Sequence, residues 1–490
     1  MSLKKKTVHG LSWSMADNVL ALGIQFVVGI LLARLLSPAE FGLVGMTAIF
    51  TAVGQSFVDS GFSSALIRKN ACSQAEYSTV FYYNLAMGVA LYAVLFTSAP
   101  LISRFFGEPR LTALVRAIGV GMVISAFTQI PRTRLIRDID FKRQTVITSV
   151  SAAVAGAAGI TLALRGWGVW SLVWLGIVGR LVETLLFWGS GRWLPSWVFS
   201  GAAFREMFGF GCKIMVSGLI NTIYENTYYV IIGKYFSAAD LGFYTRAKRF
   251  TDLIGPNWTG VLQRVTFPAL SSIGEEIDRL RSSYRRVIMS ATLISFTLTL
   301  GMAACARAMV IGLLGQRWAP CVLYLQLLCL VGLLYPLHAL NLNMLMVKGR
   351  SDLFLRLEIY KKVLAIPAIV TGAVFGIVPM LIAMAALSLI AFLLNSYYSG
   401  RLIGYSTLAQ IRDVWPSLRI AAAIALTMSA AGALRSPHPL AVLGIQAAVG
   451  GLAAAAVGLW SRLEAVREFR SILLPAVQRR MGAGRTRGSG

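Results

Sequence analysis

Arg34-Leu35-Leu36-Ser37-Pro38-Ala39-Glu40-Phe41-Gly42 returns, 200 residues later and without a gap, as Lys234-Tyr235-Phe236-Ser237-Ala238-Ala239-Asp240-Leu241-Gly242. In each copy a basic residue and two apolar or aromatic residues lead to a serine, and an acid follows three positions on. That spacing predicts a helix start: the serine hydroxyl caps the third helical amide, the acid reaches back to the serine amide, and Pro38 suits the first helical position. The motif is read as structural, and its recurrence says that one plan is used twice. Weaker echoes follow, Ile102-Ser103-Arg104-Phe105-Phe106-Gly107 with Val310-Ile311-Gly312-Leu313-Leu314-Gly315, and Arg137-Asp138 through Lys142 with Ser351-Asp352 through Arg356. The offset grows as loops lengthen.

The sequence around these motifs is that of a membrane protein. Of 490 residues 57% are hydrophobic and 13% charged, where a soluble chain carries about a quarter charged residues. A hydrocarbon core of about 30 Å needs roughly 20 predominantly apolar residues per helix. That ruler predicts an all-α polytopic membrane protein with about fourteen transmembrane helices, near 13–35, 41–66, 77–99, 111–130, 144–164, 168–189, 211–233, 251–272, 287–306, 321–346, 359–378, 380–400, 417–434 and 439–460. Six helices per half is an even number, so the halves share an orientation. They are expected as two six-helix bundles related by pseudo-two-fold symmetry about an axis near the membrane normal, with substrate at their interface. The expected organisation is a first bundle over 1–190 and an interfacial linker over 191–210, which carries Trp193, Pro195 and Trp197. A second bundle over 211–402, an extra transmembrane hairpin of helices 13 and 14 over 403–460, and a basic cytoplasmic tail over 461–490 complete it.

The few charges are lopsided, with 46 Lys+Arg against 20 Asp+Glu giving +26. With the N-terminus placed in the cytoplasm, about 31 basic residues fall on that side, the Arg132 to Arg143 cluster among them, about 11 on the other and four within spans. Membrane topology therefore accounts for most of the charge, with both termini cytoplasmic. The tail from Arg462 to Arg487 suits anionic membrane lipids. No nucleic-acid partner is expected, because no groove-reading motif is present. Cys72, Cys212, Cys305, Cys321 and Cys329 are odd in number and irregular in spacing, and read as small core hydrophobes. His9, His338 and His438 are too far apart in sequence to form a recognisable metal motif. The apolar run after Lys4-Lys5-Lys6 is longer than a secretory leader and is expected to remain as the first membrane helix.

The chain resembles the polysaccharide exporter, or oligosaccharide flippase, branch of the multidrug/oligosaccharidyl-lipid/polysaccharide (MOP) exporter superfamily. The resembling residues are the basic start into Gly10-Leu11-Ser12-Trp13, then Leu32-Ala33-Arg34 through Gly42, Asp59-Ser60-Gly61-Phe62-Ser63-Ser64-Ala65-Leu66-Ile67, and Arg137-Asp138-Ile139-Asp140-Phe141-Lys142-Arg143. With the fourteen expected spans the resemblance covers nearly the whole chain. It implies two six-helix bundles around a central cavity, alternating access, and an undecaprenyl-pyrophosphate-linked oligosaccharide as cargo. It also implies a bacterial inner-membrane location and a role in exopolysaccharide, capsule or O-antigen assembly beside a polysaccharide polymerase and assembly proteins. One departure is informative: lipid II flippases carry an Arg-Asp pair before the matching Ala-Arg, where this chain has Val28-Gly29. That branch's specificity does not carry over.

A charge at the bilayer centre costs on the order of 2.5–3.5 kcal/mol on insertion scales, so such residues usually face a cavity or a partner. The mid-span cations Arg116, Arg180 and Arg264, with Lys213 near the start of the seventh helix, are the candidates for binding an anionic cargo. Arg suits a pyrophosphate by its permanent charge and forked donors. Asp17, Asn18 and Gln25 in the first helix and Asn221, Glu225 and Asn226 in the seventh are candidate polar cavity or ion-coupling residues, and Glu225 aligns with Gln25 at the offset of 200. Asp59 and Glu183 are further acids within spans. Plainer readings stand beside these. Arg180 and Glu183 are three apart and suit a neutralising ion pair, while Asp17 and Lys213 lie near an interface and can snorkel.

No phosphate-loop motif is present, so ATP hydrolysis is not expected, and no cofactor is called for. An inside-negative potential favours outward movement of an anion by about 2.3 kcal/mol per charge per 100 mV. Coupling to H+ or Na+ through Glu225 or Asp17 is a separate hypothesis. The alternative function is a cation-coupled multidrug exporter of the same superfamily, whose cargo would favour an acidic cavity. An enzyme is not expected, because paired carboxylates and a large external loop are both missing.

Overall fold

The computed structural model describes residues 20–59, 61–69, 71–191, 193–433 and 438–460, with the side chains of 210, 256–258, 261, 265 and 458–460 left aside. Asp17, Asn18 and the tail proposed to meet anionic lipid lie outside the described residues. Among the described residues the secondary structure is helical throughout, without a strand. The first unit contains α1 (Leu20–Leu35), α2 (Pro38–Asp59), α3 (Phe62–Arg68), α4 (Gln74–Phe106), α5 (Leu111–Arg137), α6 (Phe141–Leu164), α7 (Trp170–Ser190) and α8 (Gly201–Tyr235). Then follow α9 (Ala238–Ser271), α10 (Ile277–Leu314), α11 (Cys321–Gly332), α12 (Tyr335–Val347), α13 (Ser351–Phe375), α14 (Ile377–Ile403), α15 (Thr407–Gly432) and α16 (Pro439–Trp460). Among the described residues ten spans are long and apolar enough to cross a membrane, or eleven with the bent α8 counted as one.

Both copies of the repeated motif form the capping box that their spacing predicts. The Ser37 amide and hydroxyl donate to Glu40 Oε2 at 2.6 and 2.9 Å, and the Glu40 amide returns to Ser37 Oγ at 3.4 Å. In the second copy the Ser237 amide and hydroxyl donate to Asp240 Oδ2 at 3.3 and 2.6 Å, and the Asp240 amide donates to Ser237 Oγ at 3.1 Å. The two glycines that close the motifs explain themselves. A Cβ on Gly42 would lie 1.6 Å from the Ala238 carbonyl oxygen, and one on Gly242 would lie 1.9 Å from the Pro38 carbonyl oxygen. The helix starts thus pack against each other reciprocally, each copy's glycine under the other copy's first turn, which is the signature of a local two-fold relation.

Several helices depart from the lengths that hydropathy gives. α10 is 38 residues long, roughly 57 Å at 1.5 Å per residue, and so outruns the bilayer core. The span expected over 321–346 is interrupted between Gly332 and Tyr335. α8 starts ten residues before its expected span, capped by Ser200 Oγ, which accepts from the Ala203 amide at 3.2 Å, and bends by 46° between Gly209 and Gly211. Only the first part of the expected linker is therefore irregular. That part is pinned along α4: the Trp193 indole donates to Gln74 at 2.7 Å, the Ser196 amide to Ser78 at 2.9 Å, and the Ser200 amide to Thr79 at 2.9 Å. Lys69 completes the tie by donating to Glu76 at 2.5 Å and to Glu206 of α8 at 3.0 Å. These two carboxylates hold the lysine proton well above its ordinary pKa.

Two compact units divide the chain between Thr245 and Arg246. In the first, α5 packs on α4 and α7, and α2 on α8. Phe62, Phe81, Ile130, Trp193 and Met207 form one of its cores. In the second, α10 packs on α15, with α11 and α12 against α14. Its core gathers Leu280, Tyr284, Ile288, Leu340, Met344 and Phe392.

Candidate functional site

The first unit contains a cavity of about 470 Å³ walled by α2, α3, α5 and α7. Three local features shape it. Gly61, left-handed at φ 66°, breaks the chain between α2 and α3, so that Asp59 and Ser63 flank the break; Ser63 Oγ donates to Asp59 Oδ1 at 3.4 Å. α5 continues through Pro131, which leaves the Phe127 carbonyl without its helical donor. The Trp188 indole of α7 donates to that carbonyl at 3.0 Å, so the helix runs on to Arg137 and carries Gln129, Arg132 and Thr133 onto the wall. Finally, Thr128 and Thr184 share a hydrogen bond of 2.5 Å, and Thr184 also donates to the Arg180 carbonyl at 2.7 Å. That fixes α7 against α5 at the level of Arg180.

Four charged side chains face this cavity, Asp59, Arg132, Arg180 and Glu183, among the hydroxyls and amides of Gln55, Ser125, Thr128, Gln129 and Thr133. Glu183 Oε1 is 4.0 Å from Arg132 Nη1 across the helix pair. Arg180 instead reaches toward α5, where a Cβ on Gly121 would sit 2.6 Å from its Nη1. Among the described residues its guanidinium has no hydrogen-bonded or ion-paired partner within 4 Å, although the Glu183 charge acts on it. Arg180 also borders a second, smaller cavity of about 240 Å³ lined by Val44, Ala48, Ile118, Leu172, Val173 and Ile177. It therefore stands between a polar chamber and a mainly apolar one. The polar chamber's formal charges balance, two cations against two acids.

The other sequence candidates are placed differently. Arg116 lies over the Phe96 ring, 4.3 Å from its centroid, and donates to the Phe96 carbonyl at 3.3 Å, so α4 already engages it. Arg264, Lys213, Gln25, Asn221 and Glu225 are exposed on their helices, and none of them lines the charged cavity. Asn226 donates to the Thr222 carbonyl of its own helix at 2.8 Å. Arg180 is thus the candidate cation that the structure brings to this cavity, and Arg132, which by sequence belongs to a basic cluster expected on the cytoplasmic side, joins it there. The sequence carries a signal for Arg132: Ser125, Thr128, Gln129, Arg132 and Thr133 form a polar stripe at helical spacing, which runs past the expected end of the span at residue 130.

A chain whose described residues form helices and no strand, with this many apolar spans, two compact units and a polar chamber between helices, has the build of a membrane transporter. Residues 31–323 match the polysaccharide biosynthesis protein family, and the chain belongs to it. It is 27% identical over 375 residues to the lipopolysaccharide biosynthesis protein WzxC of Escherichia coli strain K12, covering 76% of each chain. It is 26% identical over 333 residues to the succinoglycan biosynthesis transport protein ExoT of Rhizobium meliloti strain 1021, covering 68% of this chain and 67% of that one. Its fold matches that of the lipid II flippase MurJ in an inward closed conformation, with a TM-score of 0.70 at 12% identity over 91% of this chain and 98% of that one. It also matches an inward-facing multidrug resistance MATE family transporter of the MOP superfamily, with a TM-score of 0.62 at 16% identity over 79% and 96%. At these identities the last two are likenesses of fold. The membership expected from the sequence is shown, and ExoT, MurJ and the MATE protein are named for transport or lipid flipping.

Proposed function

We propose that this protein is a flippase that carries lipid-linked oligosaccharide repeat units, undecaprenyl-pyrophosphate-linked, across the bacterial inner membrane by alternating access. They would feed exopolysaccharide, capsule or O-antigen assembly. The observation that carries this reading is the chamber bounded by Arg180. A pyrophosphate cannot shed its water into hydrocarbon, and an unpaired guanidinium offers it a charge-assisted fork. Sugar hydroxyls need both donors and acceptors, which Arg132, Gln55 and Gln129 and the carboxylates Asp59 and Glu183 supply. The balanced charge of the chamber favours this cargo over the cationic drugs of the alternative reading.

Fourteen helices in two bundles with an added hairpin belong to the same proposal. Beside the eleven spans that pass on length and hydropathy among the described residues, the proposal counts three more helices as spans: α1, whose described part is 16 residues, and the more polar α9 and α13. Both termini are placed in the cytoplasm on the asymmetry of basic residues, and a polymerase that elongates the exported units would act next in sequence. The test is reconstitution in vesicles carrying a fluorescent lipid-linked oligosaccharide on the inner leaflet. Protein-dependent exposure of the sugar to an impermeant lectin is expected. Vesicles that move cationic dyes and leave the sugar in place would overturn the proposal.

A further inference from the structure

The second unit holds a cavity of about 660 Å³ whose lining shares no residue with the charged chamber or its apolar neighbour. It is walled by α10, α15, α16 and the turn that follows α10. Two polar side chains meet there from different helices. Arg307 stands about two turns before the end of α10 and Gln446 about two turns after the start of α16, so each lies roughly 10 Å inside its helix. Arg307 is exposed, and among the described residues it has no hydrogen-bonded or ion-paired partner. Gln446 is 3% exposed. Its amide nitrogen donates to the Met428 carbonyl of α15 at 3.0 Å and to the Ala304 carbonyl of α10 at 3.4 Å, which uses both of its hydrogens. Gly432 makes room for that amide, since a Cβ there would lie 2.2 Å from Gln446 Nε2. The amide cannot turn over without setting its oxygen against two carbonyl oxygens. Oε1 is left with no hydrogen-bond partner among the described residues.

These two groups define what would complete them. An amide oxygen accepts and cannot donate, so the group that meets Gln446 must carry an O–H or N–H. A guanidinium without a partner suits an anion with two oxygens side by side, which a phosphodiester offers. The rest of the lining is divided in the same way, with Gln316 and Ser429 polar and Ala308, Ile311 and Val442 apolar. Beyond the cavity, α15 and α16 present Leu426, Leu440 and Leu452 at the surface, side chains suited to acyl chains. A phosphodiester with a hydroxyl beside it and hydrocarbon attached is a glycerol-headed phospholipid. Other phospholipid headgroups fit less well: an ethanolamine ammonium would share the cavity with the Arg307 guanidinium, and choline carries no donor for Gln446.

We propose that this cavity is a binding site for phosphatidylglycerol, with Arg307 holding the phosphodiester and a glycerol hydroxyl donating to Gln446 Oε1. On the topology proposed above it lies at the outer leaflet, where the lipid ties the α15–α16 hairpin to α10. The site does not depend on what the protein carries. The experiment places the full chain in phosphatidylcholine nanodiscs doped with phosphatidylglycerol that bears a photoreactive diazirine beside its glycerol backbone, and maps the labelled peptides after irradiation. Label is expected on the peptides that hold Arg307, Ser429 and Gln446, and excess unlabelled phosphatidylglycerol should displace it. The yield there should fall about tenfold in Arg307→Gln, the loss of one charge-assisted hydrogen bond, and recover in part in Arg307→Lys. Arg307 is exposed and without a partner, so these variants should stay folded, and label at the Arg279 to Arg286 stretch, which should not change, serves as the internal reference. Phosphatidylethanol with the same diazirine keeps the anionic phosphodiester and lacks the hydroxyls. It should label the site about fivefold less than phosphatidylglycerol. An unchanged yield in Arg307→Gln would overturn the proposal, as would equal yields from the two lipids. Displacement of the label by an equal mole fraction of lipid-linked oligosaccharide would also overturn it, since the cavity would then belong to the cargo.

Discussion

In the first copy of the repeat Glu40 accepts from Ser37, and in the second Asp240 accepts from Ser237, through the same three hydrogen bonds. Helices α7 and α14 are not alike in this way. α7 carries Arg180 and Glu183 into a charged chamber, whereas α14 carries Ser388 and Asn395 against His338. The contrast separates two kinds of demand. A helix start has the same unsatisfied amides whatever the helix later lines, so both copies retain its solution, and the reciprocal approach of Gly42 and Gly242 holds both to it. The middle of a helix answers only to what packs on it, and there the halves are free to hold different chemistry. The repeat therefore transmits the fold and leaves the site to each half.

The severest way to break the shared part is Gly42→Val or Gly242→Val. A Cβ at either position falls within 2 Å of a backbone oxygen, which cannot yield as a side-chain tip can. A cost of about 3 kcal/mol or more is expected from such overpacking. It should appear as loss of monodisperse protein after extraction, and equal losses for the two variants would establish the reciprocity. Next comes Trp188→Phe, which keeps the ring and removes the donor to the Phe127 carbonyl. Leaving that carbonyl unpaired should cost about 1–3 kcal/mol, read as a lowered unfolding midpoint, and should let α5 kink at Pro131, so that flipping slows as Arg132 leaves the wall. A variant as stable and active as wild type would mean that the proline needs no such support.

Arg180→Ala probes the part that differs. Removing the guanidinium between the two chambers should slow flipping about tenfold, equivalent to about 1.4 kcal/mol, with protein abundance unchanged. Arg180→Lys should recover part of the loss, since it restores the charge without the fork. Arg116→Ala serves as the control: its side chain is occupied by Phe96, and its flipping rate should stay near wild type. A reversed order, with Arg116→Ala slow and Arg180→Ala normal, would place the cargo elsewhere.

Hydropathy and local spacing made much of this legible. The capping boxes followed from Ser, Pro and an acid at fixed intervals, and the lipid-solvated helical class followed from 13% charge. What they could not show was the direction in which a side chain points. Arg116, Arg180 and Arg264 look equivalent in the sequence, each an isolated cation in an apolar run. Packing alone makes one a partner of Phe96, one a wall of a chamber and one an exposed residue. α5 outruns its expected end at residue 130 for a related reason, because the donor that supports the helix at Pro131, Trp188, lies 57 residues away in sequence. α10 begins at Ile277 rather than near 287 because Arg279, Arg281, Arg285 and Arg286 extend it as a polar helix. Arg285 is anchored by Asp413 of α15 at 2.6 and 2.9 Å, and a window tuned to hydrocarbon does not register such a turn. In the sequence His338 is only a histidine far from the other two, because its partners come from a helix 50 and 57 residues further on.

The smallest expected effect tests how far the two capping boxes are equivalent. Replacing an N-cap serine by alanine usually costs about 1 kcal/mol. The two copies differ in setting, since the Ser37 bonds are part-buried and those of Ser237 are exposed. Glu40 also lies close against the loop before α7: a Cβ on Gly168, itself at φ 55°, would lie 2.5 Å from Glu40 Oε1. Exposed capping bonds compete with water, whereas a part-buried carboxylate that loses its donors has less water to replace them. Ser37→Ala should therefore cost more than Ser237→Ala, by a few tenths of a kcal/mol around the central value of about 1. Hydrogen exchange at the amides of residues 37, 39 and 40 and of residues 237–240 in the two variants would resolve the difference, the first variant losing more protection. Equal losses would mean that burial adds nothing to the first cap, and that the two copies are interchangeable in energy as well as in geometry.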